Sequence, residues 1–325
     1  MELFKYDRPI NFMGASRRFG LLSLTLVLLS WGLIFTKGFN YGIDFAGGTL
    51  IQLRYDDTQK APLQKIREDL TKNKEFQDAT VTFFGNDREV IIRTKSSSKT
   101  VGKDMGDRIR SLLKDTGKFE VRRVDMVGPA IGSELKEKGL MAMVLSIIGI
   151  LIYVSVRFEW RFALASVAAL VHDVSIAMGA IVLFGVEVNL DILAALLTLL
   201  GYSLNDTIIV FDRIREGLRK IKNPDLAGII NESITRTLSR TVLTSLTTFF
   251  VVLTLFLFGG EIIHGFAFTM VVGIIVGTYS SIFIASPLLM WLGFDVKSYR
   301  AKEAEKRKRE KEKEKLRAMY EQGML

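Results

Sequence analysis

Cysteine is absent from this chain of 325 residues. Its absence excludes disulfides, thiolate nucleophiles, iron–sulfur clusters and cysteine-bound zinc. Histidine is nearly absent: His172 and His264 are the two present, too few for a histidine-rich metal site. No Ser-His-Asp arrangement, metal-ligand spacing or nucleotide-binding fingerprint occurs. The Gly-rich run Gly42–Thr49 (GIDFAGGT) comes nearest to a phosphate loop. It lacks the Lys-Ser/Thr ending and opens no predicted helix, so it reads as a tight turn. The chain is therefore expected to be no enzyme, with no cofactor, no metal and no hydrolysis of ATP.

What the sequence does hold is apolar residues, unevenly spread. A span must cross ~30 Å of hydrocarbon at 1.5 Å per residue. Apolar runs of that length are predicted near Gly20–Thr36, Leu140–Val156, Phe162–Gly185, Leu190–Phe211, Thr241–Phe258 and Gly265–Leu292. The first follows a basic segment, as a secretory signal would, but no small-x-small cleavage site follows it, so it reads as an uncleaved anchor. The expected organisation is an N-terminal segment (1–19), a first span (20–36), an extramembrane domain (37–139), a bundle of five spans (140–292) and a charged tail (293–325). Formal net charge is +9, but the basic residues cluster beside spans and in the tail. That placement points to orientation in lipid rather than to nucleic acid. Lys and Arg occur before the first span, in 157–161, in 212–240 and in the tail, whereas 186–189 and 259–264 have none. The positive-inside rule then places both termini in the cytoplasm and the 37–139 domain outside.

Within that domain, alternating Ile51, Leu53 and Tyr55 predict a strand. A helix over about 62–72 follows, carrying Leu63, Ile66 and Leu70 on one face. Strands over 79–84 and 89–94 flank a Gly-Asn-Asp turn and read as a hairpin. A second helix is predicted over 99–115, opened by Ser96–Ser98, and a last strand over 119–127. The order β-α-β-β-α-β is the ferredoxin-like pattern. The predicted class is thus a polytopic α-helical membrane protein with one small α+β domain between its first two spans. Beyond the fourth span, Ile230, Ile234 and Leu238 suggest a separate interfacial helix capped near Asp225. Glu303–Arg307 and Glu305–Arg309 favour a solvated helix in the tail.

The expensive residues lie inside the spans. A carboxylate at the centre of a spanning helix costs ~2.5–3.5 kcal/mol on insertion scales. Asp206, with Asn205 beside it, sits inside the fourth apolar run, about 7.5 Å of helix rise before Phe211. Arg240, at the start of the fifth span, is the candidate counter-charge. The two form either a proton-responsive ion pair or a static helix-to-helix contact. Asp173, preceded by His172, lies mid-span on a small-residue face with Ala165, Ala169 and Ala177. It is either a second proton-relay or helix-locking group, or a structural hydrogen-bonder. Thr241, Thr244, Ser245 and Thr248, with Thr237, lead away from Arg240. They either line a hydrated path or bond back to their own helix carbonyls. Gly265, Thr269, Gly273, Gly277, Ser281 and Ala285 recur at every fourth position of the sixth span, a small-xxx-small stripe that permits close helix packing.

Several stretches together resemble one family. They are YGIDFAGGT (41–49), VGPAIGSEL (127–135), VHDVSIAMGA (171–180), GYSLNDTIIVFDRIRE (201–216), RTLSRT (236–241) and LFGGEIIHGFAFTMVVGIIVGTYSSI (257–282). The chain resembles the SecD/SecF family of bacterial protein-export subunits, within the resistance-nodulation-division (RND) superfamily. The resemblance spans nearly everything but the tail. It implies a SecD-like six-span partner completing a twelve-span RND arrangement in the inner membrane, and association with the SecYEG channel. It also implies use of the proton-motive force to draw unfolded preprotein out on the periplasmic side, after the ATP-driven SecA stage. By the same resemblance Asp206 and Arg240 match the family's proton-transport residues, and His172–Asp173 match its third-span pair. Two other classes stay open on the residues alone. One is half of an RND-type transporter of small solutes. The other is a scaffold subunit whose acids are structural.

Overall fold

The computed structural model describes residues 8–56, 60–94, 103–220 and 225–321. The expected helix start at 96–102 and the first residues of the N-terminal segment lie outside these ranges. The chain runs α1 (Phe12–Lys37), α2 (Ile43–Ala46), β1 (Gly48–Tyr55), α3 (Leu63–Thr71), β2 (Thr80–Phe84), β3 (Asn86–Thr94), α4 (Lys103–Leu112) and β4 (Phe119–Val127). It continues α5 (Pro129–Arg157), α6 (Trp160–Phe184), α7 (Leu190–Lys220), α8 (Leu226–Phe258), α9 (Glu261–Ser280), α10 (Ser286–Trp291) and α11 (Val296–Glu321). Six stretches are long and apolar enough to cross a membrane: α1, α5, α6, α7, α8 and the run Glu261–Trp291. The molecule is a six-span α-helical membrane protein with one α+β domain inserted after the first span.

Helix ends depart from the hydropathy reading. Hydropathy marks where hydrocarbon ends, whereas backbone hydrogen bonding continues until something interrupts it. α5 starts at Pro129, well ahead of the apolar run that begins near Leu140, with a proline in its first turn, where a missing N–H costs nothing. α7 continues to Lys220. The interfacial helix and the fifth span, expected as two elements, are one helix of 33 residues. Asp225 starts it by accepting from Ala227 N (3.2 Å) and Gly228 N (3.1 Å), and neither Pro nor Gly intervenes between Gly228 and Gly259. At 1.5 Å per residue it reaches ~50 Å, longer than the ~30 Å hydrocarbon core, so its first turns project beyond it alongside the end of α7. The sixth span is interrupted by a π-helical turn, Ser281–Ala285. Pro287 follows, and its missing N–H disrupts the regular ladder there.

The α+β domain has a four-stranded sheet in the order β2-β3-β1-β4, every neighbouring pair antiparallel. This is the ferredoxin-like arrangement, with each helix crossing between parallel strands that flank a third. Period-2 alternation decides which face is covered. Ile51, Leu53, Tyr55, Val90 and Ile92 turn inward against Ile66, Leu70, Ile109 and Leu113 of the helical layer, all buried. The Tyr55 hydroxyl sits 2.7 Å from Thr116 Oγ1 inside that core. The alternate residues of the same strands, among them Gln52, Ile91 and Arg93, form a helix-free face turned toward the ends of the spans.

In the bundle α9 is the central element, packed against α6, α7 and α8. Its small residues allow this. A Cβ on Gly273 would lie 2.5 Å from Leu199 Cδ1, one on Gly265 2.9 Å from Ile192 Cδ1, and one on Gly277 3.1 Å from Ser203 Cβ.

Candidate functional site: two buried carboxylates on one polar seam

Asp173 is wholly buried, because the small residues of α6 let neighbouring helices close over it. One carboxylate oxygen lies 2.8 Å from His172 Nδ1. The other accepts from Ser203 Oγ of α7 (2.5 Å) and Ser280 Oγ of α9 (2.8 Å). Three helices therefore meet at one side chain. The His172 ring stacks on Tyr279, centroids 6.2 Å apart. Tyr279 in turn donates to the Phe19 carbonyl of α1 at 2.8 Å. His172 Nε2 is buried without a partner among the described residues.

Asp206 is likewise buried. It accepts from Ser245 Oγ of α8 at 3.0 Å. Thr278 Oγ1 of α9 lies 2.9 Å from Ser245 Oγ and 2.8 Å from the Ile274 carbonyl, so its proton can turn to either. Asp206 and Ser203 are one helical turn apart on α7, and Thr278 and Ser280 sit in the same turn of α9. The two carboxylates thus flank one polar seam, and α9 enters its π turn immediately after it. Such turns are often found at functional sites.

Asp206 does not pair with Arg240; its hydrogen-bond partner is Ser245. The reason is helical phase. Thr241 and Ser245 are four apart and face inward together, whereas Arg240 is five residues from Ser245 and points about 140° away. Arg240 and Asn205 are both exposed on the surface of the bundle. The hydroxyl stripe divides in the same way. Thr241 and Ser245 are buried, while Thr244 is exposed. Thr244 bonds back to the Arg240 carbonyl and Thr248 to the Thr244 carbonyl. Thr241 Oγ1 has no partner among the described residues. Ser203, Thr278 and Ser280 were not distinguishable from back-bonding hydroxyls in the sequence. The available signal is their spacing: Ser203 stands one turn from Asp206, and Thr278–Ser281 is a polar run inside an apolar span.

His264 belongs to α9 and stacks on Phe256, centroids 4.4 Å apart. No group of three or more metal-ligating side chains converges among the described residues.

A test separates locking from chemistry at Asp173. Asp173→Leu leaves the Ser203 hydroxyl without an acceptor, at about 1–3 kcal/mol for the stranded group, and leaves Ser280 only its own helix, where the Gly277 carbonyl lies 3.1 Å away. The expected result is a clear fall in the melting temperature of the purified protein, with Asp173→Asn falling less because it keeps an acceptor. Equal melting of wild type and Asp173→Leu would show that these bonds hold nothing together.

A six-span bundle with carboxylates hydrogen-bonded between spans, and an α+β domain inserted after the first, defines a polytopic membrane protein whose helices are joined through ionisable side chains. Residues 108–295 match the family model "Protein export membrane protein SecD/SecF, C-terminal", and residues 32–59 match the "SecD/SecF GG Motif". The chain belongs to the SecD/SecF family. It is 50% identical to the protein translocase subunit SecF of Helicobacter pylori strain J99, over 100% of both chains. It is 48% identical to the SecF of Calditerrivibrio nitroreducens, over 93% of this chain and 99% of that one. Among solved structures it is similar to SecDF of Thermus thermophilus, described as a translocon-associated membrane protein. The TM-score is 0.79 at 38% identity, covering 90% of this chain and 40% of that one. A SecDF structure in a super-membrane-facing form gives a TM-score of 0.67, covering 94% of this chain and 41% of that one. This chain therefore spans about two-fifths of each SecDF polypeptide.

Proposed function

We propose that this chain is one six-span half of a proton-driven protein-export assembly in the bacterial inner membrane. Its SecD-like partner supplies the other half, and the pair works beside the SecYEG channel. Both termini are cytoplasmic and the α+β domain is periplasmic, where unfolded preprotein emerges. The carrying observation is the exposed position of Arg240 on the face of α8 opposite to that of buried, inward-facing Thr241 and Ser245. Charged residues within spans face a protein interior or a water-filled cavity rather than lipid. Exposed Thr198 and Asn205 on α7, and exposed Arg240, Thr244 and Thr247 on α8, recur at helical spacing as polar stripes. These stripes suit contact with a second bundle. Asp206 is then the proton-exchanging group, Arg240 the charge set against the partner's side, and Asp173 the group that holds α6, α7 and α9 in register.

Energetics limit the cycle. One proton crossing ~150 mV releases ~3.5 kcal/mol, at about 2.3 kcal/mol per 100 mV. Inverting a 1:99 equilibrium takes about 5.5 kcal/mol. Either more than one proton is used per cycle, or the two resting conformations are nearly balanced.

The experiment compares export of a secreted precursor in cells with and without this chain. Depletion is expected to slow export severalfold. Collapsing the proton-motive force with a protonophore, with ATP held constant, is expected to erase most of that difference. A difference that persists undiminished in the protonophore would sink the proton-driven reading and favour a scaffold.

A further inference from the structure

Two contacts of different kinds join the α+β domain to the spans. The first is a pivot, where α2 lies against the first turn of α5. Gly47 sits at φ +74°, a left-handed conformation that suits glycine. A Cβ there would lie 2.9 Å from Pro129 Cα, and one on Gly132 would lie 3.0 Å from Gly47 N. Backbone rests on backbone at this point.

The second is a tie to the short connection between α6 and α7. Gly42 N donates to the Val188 carbonyl (3.0 Å) and Val188 N to the Asn40 carbonyl (2.8 Å), which makes a parallel bridge between Tyr41 and Val188. Leu190 N donates to Asp44 Oδ2 at 3.0 Å. From the helix-free face of the sheet, Arg93 reaches Glu187 at 2.9 Å. Glu187 is four-fifths buried, its side chain 19% exposed, and burial pushes its carboxyl up while Arg93 pulls it back. Removing either partner leaves the other charge poorly solvated. A Cβ on Gly42 would fall 1.6 Å from Asn189 Oδ1, so the approach is as close as a glycine allows.

A cavity of about 550 Å³ opens beneath the helix-free face of the sheet, lined by Gln52, Arg123, Asp191, Glu261 and His264 among others. The domain is thus held at a pivot and a tie, with clearance beneath it.

The tied connection is continuous with α6, which carries Asp173, and with α7, which carries Ser203 and Asp206. A rearrangement of α6 against α7 at the polar seam moves this connection directly. We propose that Arg93 and Glu187 are coupling residues: their ion pair keeps the sheet fastened to the α6–α7 connection, so that movement at the carboxylates tilts the α+β domain about the Gly47–Gly132 pivot. The proposal rests on the proton-driven reading above and adds the contact through which the drive reaches the periplasmic domain.

The test uses the full chain assembled with its SecD-like partner in vesicles, reading proton uptake and proton-driven export separately. Glu187→Gln and Arg93→Gln are each expected to keep proton uptake within about twofold of wild type and to lower proton-driven export about tenfold. The exchange Arg93→Glu with Glu187→Arg is expected to restore at least half of it. Because the chain has no cysteine, Tyr41→Cys with Val188→Cys can replace the ionic tie by a covalent one, bridge partners being within disulfide reach. In the Glu187→Gln background this pair is expected to restore export when oxidised and lose it when reduced. Single variants that export as well as wild type overturn the proposal. So do variants that lose proton uptake and export together in an assembled complex, which marks a purely structural contact. A wild-type complex that takes up no protons overturns the underlying reading and the coupling with it.

Discussion

Asp206→Asn is expected to remove the proton-driven part of export, a fall of at least about tenfold, while the complex still assembles. The substitution preserves almost everything except the proton. Asparagine fills the same volume and keeps a carbonyl oxygen where Ser245 donates at 3.0 Å, so the structural cost stays near the ~1 kcal/mol of an altered hydrogen bond. What it cannot do is exchange a proton with the seam. Co-purification with the SecD-like partner measures assembly, and export in vesicles with and without a proton gradient measures the drive. Export that survives unchanged in Asp206→Asn would end the role of Asp206 as the proton-exchanging group. Failure to assemble would favour the scaffold reading. Asp206→Ala is a weaker experiment, because it also strands the Ser245 hydroxyl and mixes packing damage with loss of the proton.

The carboxylates were legible in the sequence because a charge in an apolar run is costly enough to stand out without any knowledge of the fold. The sheet domain was legible because Ile51, Leu53 and Tyr55 alternate strictly and the helices between strands are short and amphipathic. The partners of the carboxylates were not. Arg240 is the eye-catching cation near Asp206, yet a single position of helical phase turns it out of the bundle and puts Ser245 in its place. Helical phase was computable from the sequence, but which face of α8 meets α7 was not. Ser203, Thr278 and Ser280 look like any hydroxyls in a span until three helices are brought together. The Arg93–Glu187 tie is further from reach, since a strand of one domain and a loop of another carry no shared local pattern. Helix ends failed for a different reason: α7 and α8 run past the hydrocarbon boundary, and composition reports solvent, not hydrogen bonding.

Gly273→Leu is expected to do far more structural damage than Asp206→Asn. Leu199 Cδ1 already occupies the place a Cβ would need, 2.5 Å away, and closer than real side chains approach. Leu199 is fully buried, so it has little room to yield, and overpacking of this kind costs about 1–3 kcal/mol or more. α9 must then move off α7. Thr278 and Ser280 lie further along α9, so the contact at Ser245 and the bond to Asp173 are expected to loosen together. The observable is a large drop in melting temperature accompanied by loss of export, with Gly273→Ala intermediate because the end of a leucine side chain can rotate aside. Gly149→Leu is the matched control, since a Cβ at Gly149 meets nothing within 4 Å, and it is expected to melt with wild type. Should Gly273→Leu and Gly149→Leu melt alike, the small-residue stripe of α9 would not be what seats the seam. If Gly273→Leu instead unfolds early while Asp206→Asn melts normally and is equally inactive, packing and proton exchange are separable properties of the same helix pair. The glycines then serve to bring hydroxyls of α9 within bonding distance of carboxylates on α6 and α7, which no wider separation of these helices would allow.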